Sequence, residues 1–206
     1  MTNKLEVKSE QDISQLIRAD KWRIDVLNVA ERLDLPNWWI GAGFLRNLIW
    51  DAIEGNPPRK ERDVDLVYFD LAHKEPEYDW AMDEKLKSES PIAEWEVRNQ
   101  ARMHYVNGFK PYASTEEGIS NWVETATCIA VRQRDGKLEY LFCHGTNDLF
   151  NLIARPIEAF KTEALLPVFY GRIEKKKWQV RWPSLQVVTD AIICIRADLT
   201  PASVIK

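Results

Sequence analysis

Residues 38–65 read WWIGAGFLRNLIWDAIEGNPPRKERDVD, and this stretch decides the fold. The apolar run Trp38-Trp39-Ile40 predicts a buried strand over 38–41 that leads into the small-residue turn Gly41-Ala42-Gly43. Phe44, Leu48, Ile49 and Ala52 recur at helical spacing, so a helix is expected over 43–54, with Arg46 and Asn47 in its first turns. The Gly-, Pro- and Arg-containing stretch 55–62 breaks that helix. Asp63-Val64-Asp65-Leu66-Val67-Tyr68-Phe69 then alternates as a strand, and its two carboxylates share one face because side chains alternate with period two. A small-residue turn that opens a helix attracts anions, since unpaired backbone N–H groups and the helix dipole converge there. Carboxylate oxygens are hard ligands suited to Mg²⁺, which takes one or two protein carboxylates and completes its shell with water and phosphate oxygens. The stretch therefore predicts a phosphate cradle beside a magnesium site.

Upstream, Ile13, Leu16, Ile17, Ile24, Leu27, Val29, Ala30 and Leu33 predict one or two helices over 13–33, with Asp12 as N-cap and Leu35-Pro36 as the stop. Downstream, a charged helix is expected over 77–88. A strand follows over 93–99, with Trp95 and Val97 on one face and Glu94, Glu96 and Arg98 on the other. Short helices are expected over 101–108 and 115–124. Asp135-Gly136 between two alternating runs predicts a hairpin of strands 127–133 and 138–143. A helix capped by Thr146 or Asn147 should run to Ala154, and apolar spacing over 156–170 suggests another begun by proline. The segment KKKWQVRWP (175–183) is basic and aromatic, and Leu185–Ile195 reads as either strand or helix. This order predicts an α+β domain: a small mixed sheet, helices packed mainly on one side, the hairpin as its edge. A single domain over 1–206 is expected, with a core at about 10–145 and an extension at about 146–206.

An apolar fraction of 45% with nine Trp supports a substantial core, and a net charge of −4 argues against a broad electrostatic grip on nucleic acid. Cys128, Cys143 and Cys194 are odd in number and widely spaced. They read as reduced core thiols rather than a disulfide framework or zinc site. No apolar run reaches membrane-spanning length and the polar N-terminus is no signal peptide, so a cytoplasmic protein is expected.

Asp63 and Asp65 are the strongest chemical signal, with Glu96 as a third carboxylate; three converging acids repel one another unless a cation joins them. Arg46, Arg98 and Arg102 suit phosphate through their planar guanidinium forks. Asn47, Asn99 and Gln100 offer hydrogen bonds to a base or sugar. His104 reads as a packed histidine. Lys175, Lys176 and Lys177 with Trp178 and Trp182 read first as a solvated helix end and second as a contact for a polyanionic acceptor.

The stretch resembles the nucleotidyltransferase superfamily of DNA polymerase beta and the tRNA CCA-adding enzymes. Ala42-Gly43-Phe44-Leu45-Arg46-Asn47 is similar to the Gly-Gly-x-Val-Arg-Asp of the CCA-adding branch, with Ala42 in place of the first glycine and Asn47 in place of the aspartate. WEVRNQARMH (95–104), DLFNLIARP (148–156) and WPSL (182–185) extend the likeness to a bacterial nucleotidyltransferase-like family over about residues 10–190, and favour Glu96 over Glu94 as the third acid. The resemblance implies transfer of a nucleotide from an NTP to a hydroxyl by two Mg²⁺ ions. Asp63, Asp65 and Glu96 would be metal ligands and catalytic groups. Gly41, Ala42, Gly43, Arg46, Asn47 and Arg98 would hold the triphosphate. The acceptor stays open between a small molecule, an RNA end and a protein hydroxyl. The departures at Ala42 and Asn47 motivate an alternative: a nucleotide-binding or protein-interaction module with little catalysis.

Overall fold

The computed structural model describes residues 4–61 and 63–189. Two helices open the chain, α1 (Glu10–Ala19) and α2 (Lys21–Leu33). The N-cap of α1 is Ser9, not Asp12. Asp12 is the other half of a capping box: Ser9 Oγ accepts from the Asp12 N–H at 3.2 Å, and the Asp12 carboxylate accepts from the Ser9 N–H at 3.0 Å. Asp20 caps α2. Then come β1 (Trp39–Gly41), α3 (Gly43–Glu54) and β2 (Asp63–Tyr68), as the spacing of 38–65 predicts. α4 (Pro76–Glu89) crosses to β3 (Glu94–Asn99), followed by α5 (Gln100–Met103), a 3₁₀ turn (His104–Asn107) and α6 (Thr115–Ser120). β4 (Ile129–Arg134) and β5 (Lys137–Phe142) form the hairpin. Asp135 and Gly136 both have positive φ (50° and 72°), as a two-residue turn between twisted strands requires.

The five strands form one mixed sheet in the order β3-β2-β1-β4-β5. β2 and β3 run parallel, which the α4 crossover permits; the other neighbours are antiparallel. One face is thickly covered. Ile40, Val64, Leu66, Val97 and Val131 pack there with Val26, Leu27, Phe44 and Leu45 in the main core. The other face holds only a small cluster of Trp39, Val67, Ala130 and Ile119. Asp63 and Asp65 have the parity of Val67, so they lie on this thinly covered face.

The C-terminal third departs from the sequence-based expectation. The helix expected through Ala154 stops as α7 (Asn147–Phe150), because Leu152 takes a left-handed conformation (φ 49°), and the chain continues as β6 (Ile153–Ala154). The apolar run 156–170 splits into a 3₁₀ turn (Glu158–Lys161) and α8 (Leu166–Lys176), the latter with Pro167 in its first turn. α6 ends at Ser120 rather than 124. α9 (Trp178–Arg181) and β7 (Gln186–Val187), paired with β6, complete the described chain; Cys194 and the end of the 185–195 run lie outside it.

Aromatic packing brings this C-terminal segment back to α3. Trp50 is fully buried, with Trp178 and Trp182 edge-on to it at 5.6 and 5.0 Å between ring centroids. Each such pair adds about 0.5–1.5 kcal/mol beyond its buried area. Trp182 Nε1 donates to Asp51 at 2.8 Å, and Arg181 forks onto the same carboxylate at 2.6 and 3.1 Å. The tie fastens the C-terminal end of α8, whose Arg172 and Lys176 line a cavity with Asp63, Asp65 and Glu96.

Candidate active site

Strand register sets the carboxylates. Asp63 lies opposite Glu94 and Asp65 opposite Glu96 in the parallel β2–β3 pair, so Asp65 and Glu96 are side by side on the open face. Burial pushes the Asp65 carboxyl up to about 6; the neighbouring charges of Glu96 and then Asp63 add to this, while Lys176 and Arg46 pull against it. Among the described residues no three His, Cys, Asp or Glu side chains converge closely enough to hold a metal ion unaided. The donor set still fits Mg²⁺, whose shell is normally shared between one or two carboxylates, water and substrate phosphate. A buried acid beside like charges is also where a cation brings relief.

The turn before α3 approaches these acids. Ala42 sits at φ 51° and ψ −120°, and its N–H donates to Ile129 O at 3.2 Å. The N–H groups of Gly43, Phe44 and Leu45 begin the helix and, among the described residues, have no backbone acceptor. A compartment of about 340 Å³ joins the two features, lined by Gly43, Arg46, Asp63, Asp65, Glu96 and Lys176 among others. A Cβ at Gly43 would stand 3.2 Å from Asn47 Nδ2. Gly41 has a different role: a Cβ there would fall 2.2 Å from the Trp122 ring, so its smallness admits that indole.

Arg46 is buried against Trp178, 4.3 Å from the ring centroid; it donates to Thr127 Oγ1 at 2.6 Å and to Asn47 Oδ1 at 2.8 and 3.1 Å. Burial holds its guanidinium down to about 10. Asn47 in turn donates to Glu61 at 2.7 Å. Glu61 also meets Arg181 at 3.2 Å and Arg23 at 3.8 Å, and so fixes the loop after α3.

Other expected contacts are placed elsewhere. Arg98 lies on the open face, with Nη1 held by Asp83 at 2.8 Å. Arg102 pairs with the buried Asp79 and lines neither this compartment nor the adjacent one. Asn99 is buried, its amide donating to Asp70 O and His73 O. His104 is buried beside Tyr105 and Tyr112. Sequence reasoning missed Glu61, which stands two residues before Asp63 but in the loop outside the strand alternation, and Arg172, which is distant in sequence from the acids. Arg172 pairs with the buried Glu124 at 2.8 Å and lines the compartment. Lys176 and Trp178 had a signal, the basic-aromatic run 175–183.

A family model for nucleotidyltransferases matches residues 28–187, so the chain belongs to the nucleotidyltransferase family, enzymes that move a nucleoside monophosphate unit from an NTP to an acceptor. It is similar to a solution structure described as a CCA-adding enzyme head domain: 27% identity, 89% of this chain and 97% of that chain covered, TM-score 0.80. The fold also matches a CCA-adding enzyme in complex with CTP (15% identity, 85% of this chain, TM-score 0.55). It matches the Thermotoga maritima CCA-adding enzyme in complex with tRNA as well (14% identity, 85% of this chain, TM-score 0.53). This chain spans 43% and 42% of those two chains. No curated protein sequence matches it. Among the described residues no helix is long and apolar enough to cross a membrane.

Proposed function

We propose that this enzyme transfers an NMP from a Mg²⁺-bound NTP to a hydroxyl group and releases pyrophosphate, in the reducing cytoplasm where Cys128 and Cys143 stay thiols. The observation that carries the reading is the Asp65–Glu96 pair, set one strand-to-helix turn from the N–H groups of Gly43 and its successors. Asp63 and Asp65 would hold the metal ions, which supply Lewis-acid neutralisation of the attacking and leaving oxygens. The start of α3 cradles phosphate through backbone N–H groups. Lys176 offers a point charge and the buried Arg46 a fixed one. Glu96 would complete the metal site on the nucleophile side and take the acceptor's proton. The acceptor oxygen bonds to the α-phosphorus, the bond to the α,β-bridging oxygen breaks, and its electron pair leaves with pyrophosphate.

Mg²⁺ with an NTP should raise the melting temperature more than either alone, because a ligand that binds only the native state stabilises it by mass action. No shift at millimolar ligand with any common NTP would end the nucleotide reading. Glu96→Gln should lower single-turnover transfer about a hundredfold, close to 2.7 kcal/mol of barrier, while Glu94→Gln changes it by less than about fivefold. Equal mild effects would remove Glu96 from the mechanism.

A further inference from the structure

A second compartment, of about 270 Å³, opens on the other side of the acids. It shares Ala42, Asp65, Glu96 and Arg172 with the first, so the carboxylate pair stands at the junction of the two. In-line displacement places nucleophile and leaving group on opposite sides of the phosphorus. If pyrophosphate leaves through the compartment of Gly43 and Lys176, the attacking hydroxyl belongs in the other. We propose that this second compartment is the acceptor site, and that the acceptor is a small polyhydroxylated molecule carrying one anionic group, phosphate or carboxylate. The assignment rests on the nucleotide reading above.

Size comes first. The volume sits at the lower edge of small-ligand pockets, about 300–1,000 Å³, and suits one sugar or polyol rather than several stacked nucleotides. The walls are mixed. Trp122 and Tyr112 provide flat apolar surface, while Asn107 and Asn121 bring amides. Gln100 is 2% exposed; its Nε2 donates to Arg98 O at 3.2 Å, but its buried Oε1 has no partner. That oxygen packs against Gly118 and is closed to solvent, so a ligand hydroxyl reaches it only if the side chain turns, and the roughly 1–3 kcal/mol cost of leaving it unpaired favours that turn. Charge comes last. The lining cations are Arg98 and Arg172. Both are ion-paired, Arg172 with Glu124 through Nε and Nη2 and Arg98 with Asp83 through Nη1 alone; among the described residues Nε and Nη2 of Arg98 have no hydrogen-bond partner. One guanidinium edge is thus available for one anionic group. A polynucleotide end would call for a track of cations along its backbone, and the chain carries a net charge of −4.

The chemistry balances. The acceptor hydroxyl oxygen bonds to the α-phosphorus, its proton passes to the Glu96 carboxylate, and pyrophosphate leaves with the electron pair of the broken bridging bond. The test uses the full chain with Mg²⁺ and ATP labelled at the α-phosphate. It is offered in parallel to glycerol phosphate, a pentose phosphate, gluconate, the small-molecule fraction of a cell extract, tRNA and total protein. Label should enter one of the polyol arms or the small-molecule fraction; the phosphate and gluconate arms tell the two anions apart. Val106 stands at the rim and is 67% exposed, so Val106→Trp narrows the compartment without disturbing the core. Asn107→Asp keeps the volume and adds a repelling charge. Each should cut transfer by about a hundredfold through KM for the acceptor, as lost positioning does. ATP with Mg²⁺ should still raise the melting temperature of both variants. Label found only in RNA or protein, label in no fraction, or transfer by both variants at the parental rate each overturns the acceptor assignment. Failure of ATP to bind the parent chain would instead remove the nucleotide reading beneath it.

Discussion

Ala42 occupies a backbone region (φ 51°, ψ −120°) that costs an L-residue about 1–3 kcal/mol and costs glycine little. The resemblance to Gly-Gly turns places a glycine there, and the structure gives the reason. Ala42→Gly should therefore stabilise the protein by up to about 1 kcal/mol after the chain-entropy cost of glycine, read as a higher denaturation midpoint at unchanged slope. Asp65 stores strain of another kind. Its folded value of about 6 lies above the ordinary 3.8, so between these pH values the native state holds a proton that the unfolded chain has released. Stability then falls as pH rises through that window, and the full penalty, about 2–3 kcal/mol, is present above it. In metal-free buffer near neutrality Asp65→Asn should raise the melting temperature by roughly 4–10 °C. The gain should vanish below about pH 4, where both forms are neutral. A gain of equal size at both pH values would mean that packing, not charge, drives it.

At the scale of elements, the tie between α3 and the C-terminal segment decides whether the site is complete. Asp51 is 1% exposed and receives Arg181 and Trp182 together. Arg181→Leu leaves that carboxylate buried with only the indole N–H and should cost about 3–5 kcal/mol. Trp178→Ala opens a hole between Trp50 and Arg46 and should cost a similar amount, about 3–5 kcal/mol. Both variants should also weaken ATP binding, because Lys176 stands on the helix they release; unchanged affinity in either would take Lys176 out of the triphosphate site. These ties show where the sequence stops being legible. The run from β1 to β2 could be read because strand alternation and helical spacing are local properties. α7 could not, since its apolar residues fit either period and the left-handed turn at Leu152 lacks the glycine that would announce it. Arg102 and Asn99 had the chemistry of ligand contacts, yet Asp79 and the loop carbonyls at Asp70 and His73 take them for structure.

On the scale of the whole molecule, the open sheet face carries Asp63, Asp65 and Glu96, and the packed face carries most of the apolar core. Sequence could place Asp63 and Asp65 on one face. It could not place Glu96 beside Asp65, because that adjacency depends on parallel pairing across the α4 crossover. Nor could it bring Arg172 to the acids, since a side chain from a distant helix reaches them only in the folded chain. With a net charge of −4 and its site cations mostly paired, the chain should show no retention on immobilised tRNA at physiological salt without nucleotide; a salt-dependent interaction there would argue for an RNA partner. The aromatic tie also has a consequence for biosynthesis. The glycine turn before α3 is made well before Trp178, Arg181 and Trp182, which fasten the helix bearing Lys176. Domains emerge from the ribosome N-terminus first, at about 5–20 residues per second. A nascent chain halted before residue 178 would thus display its acids and its glycine turn without the aromatic clamp that fastens the helix bearing Lys176.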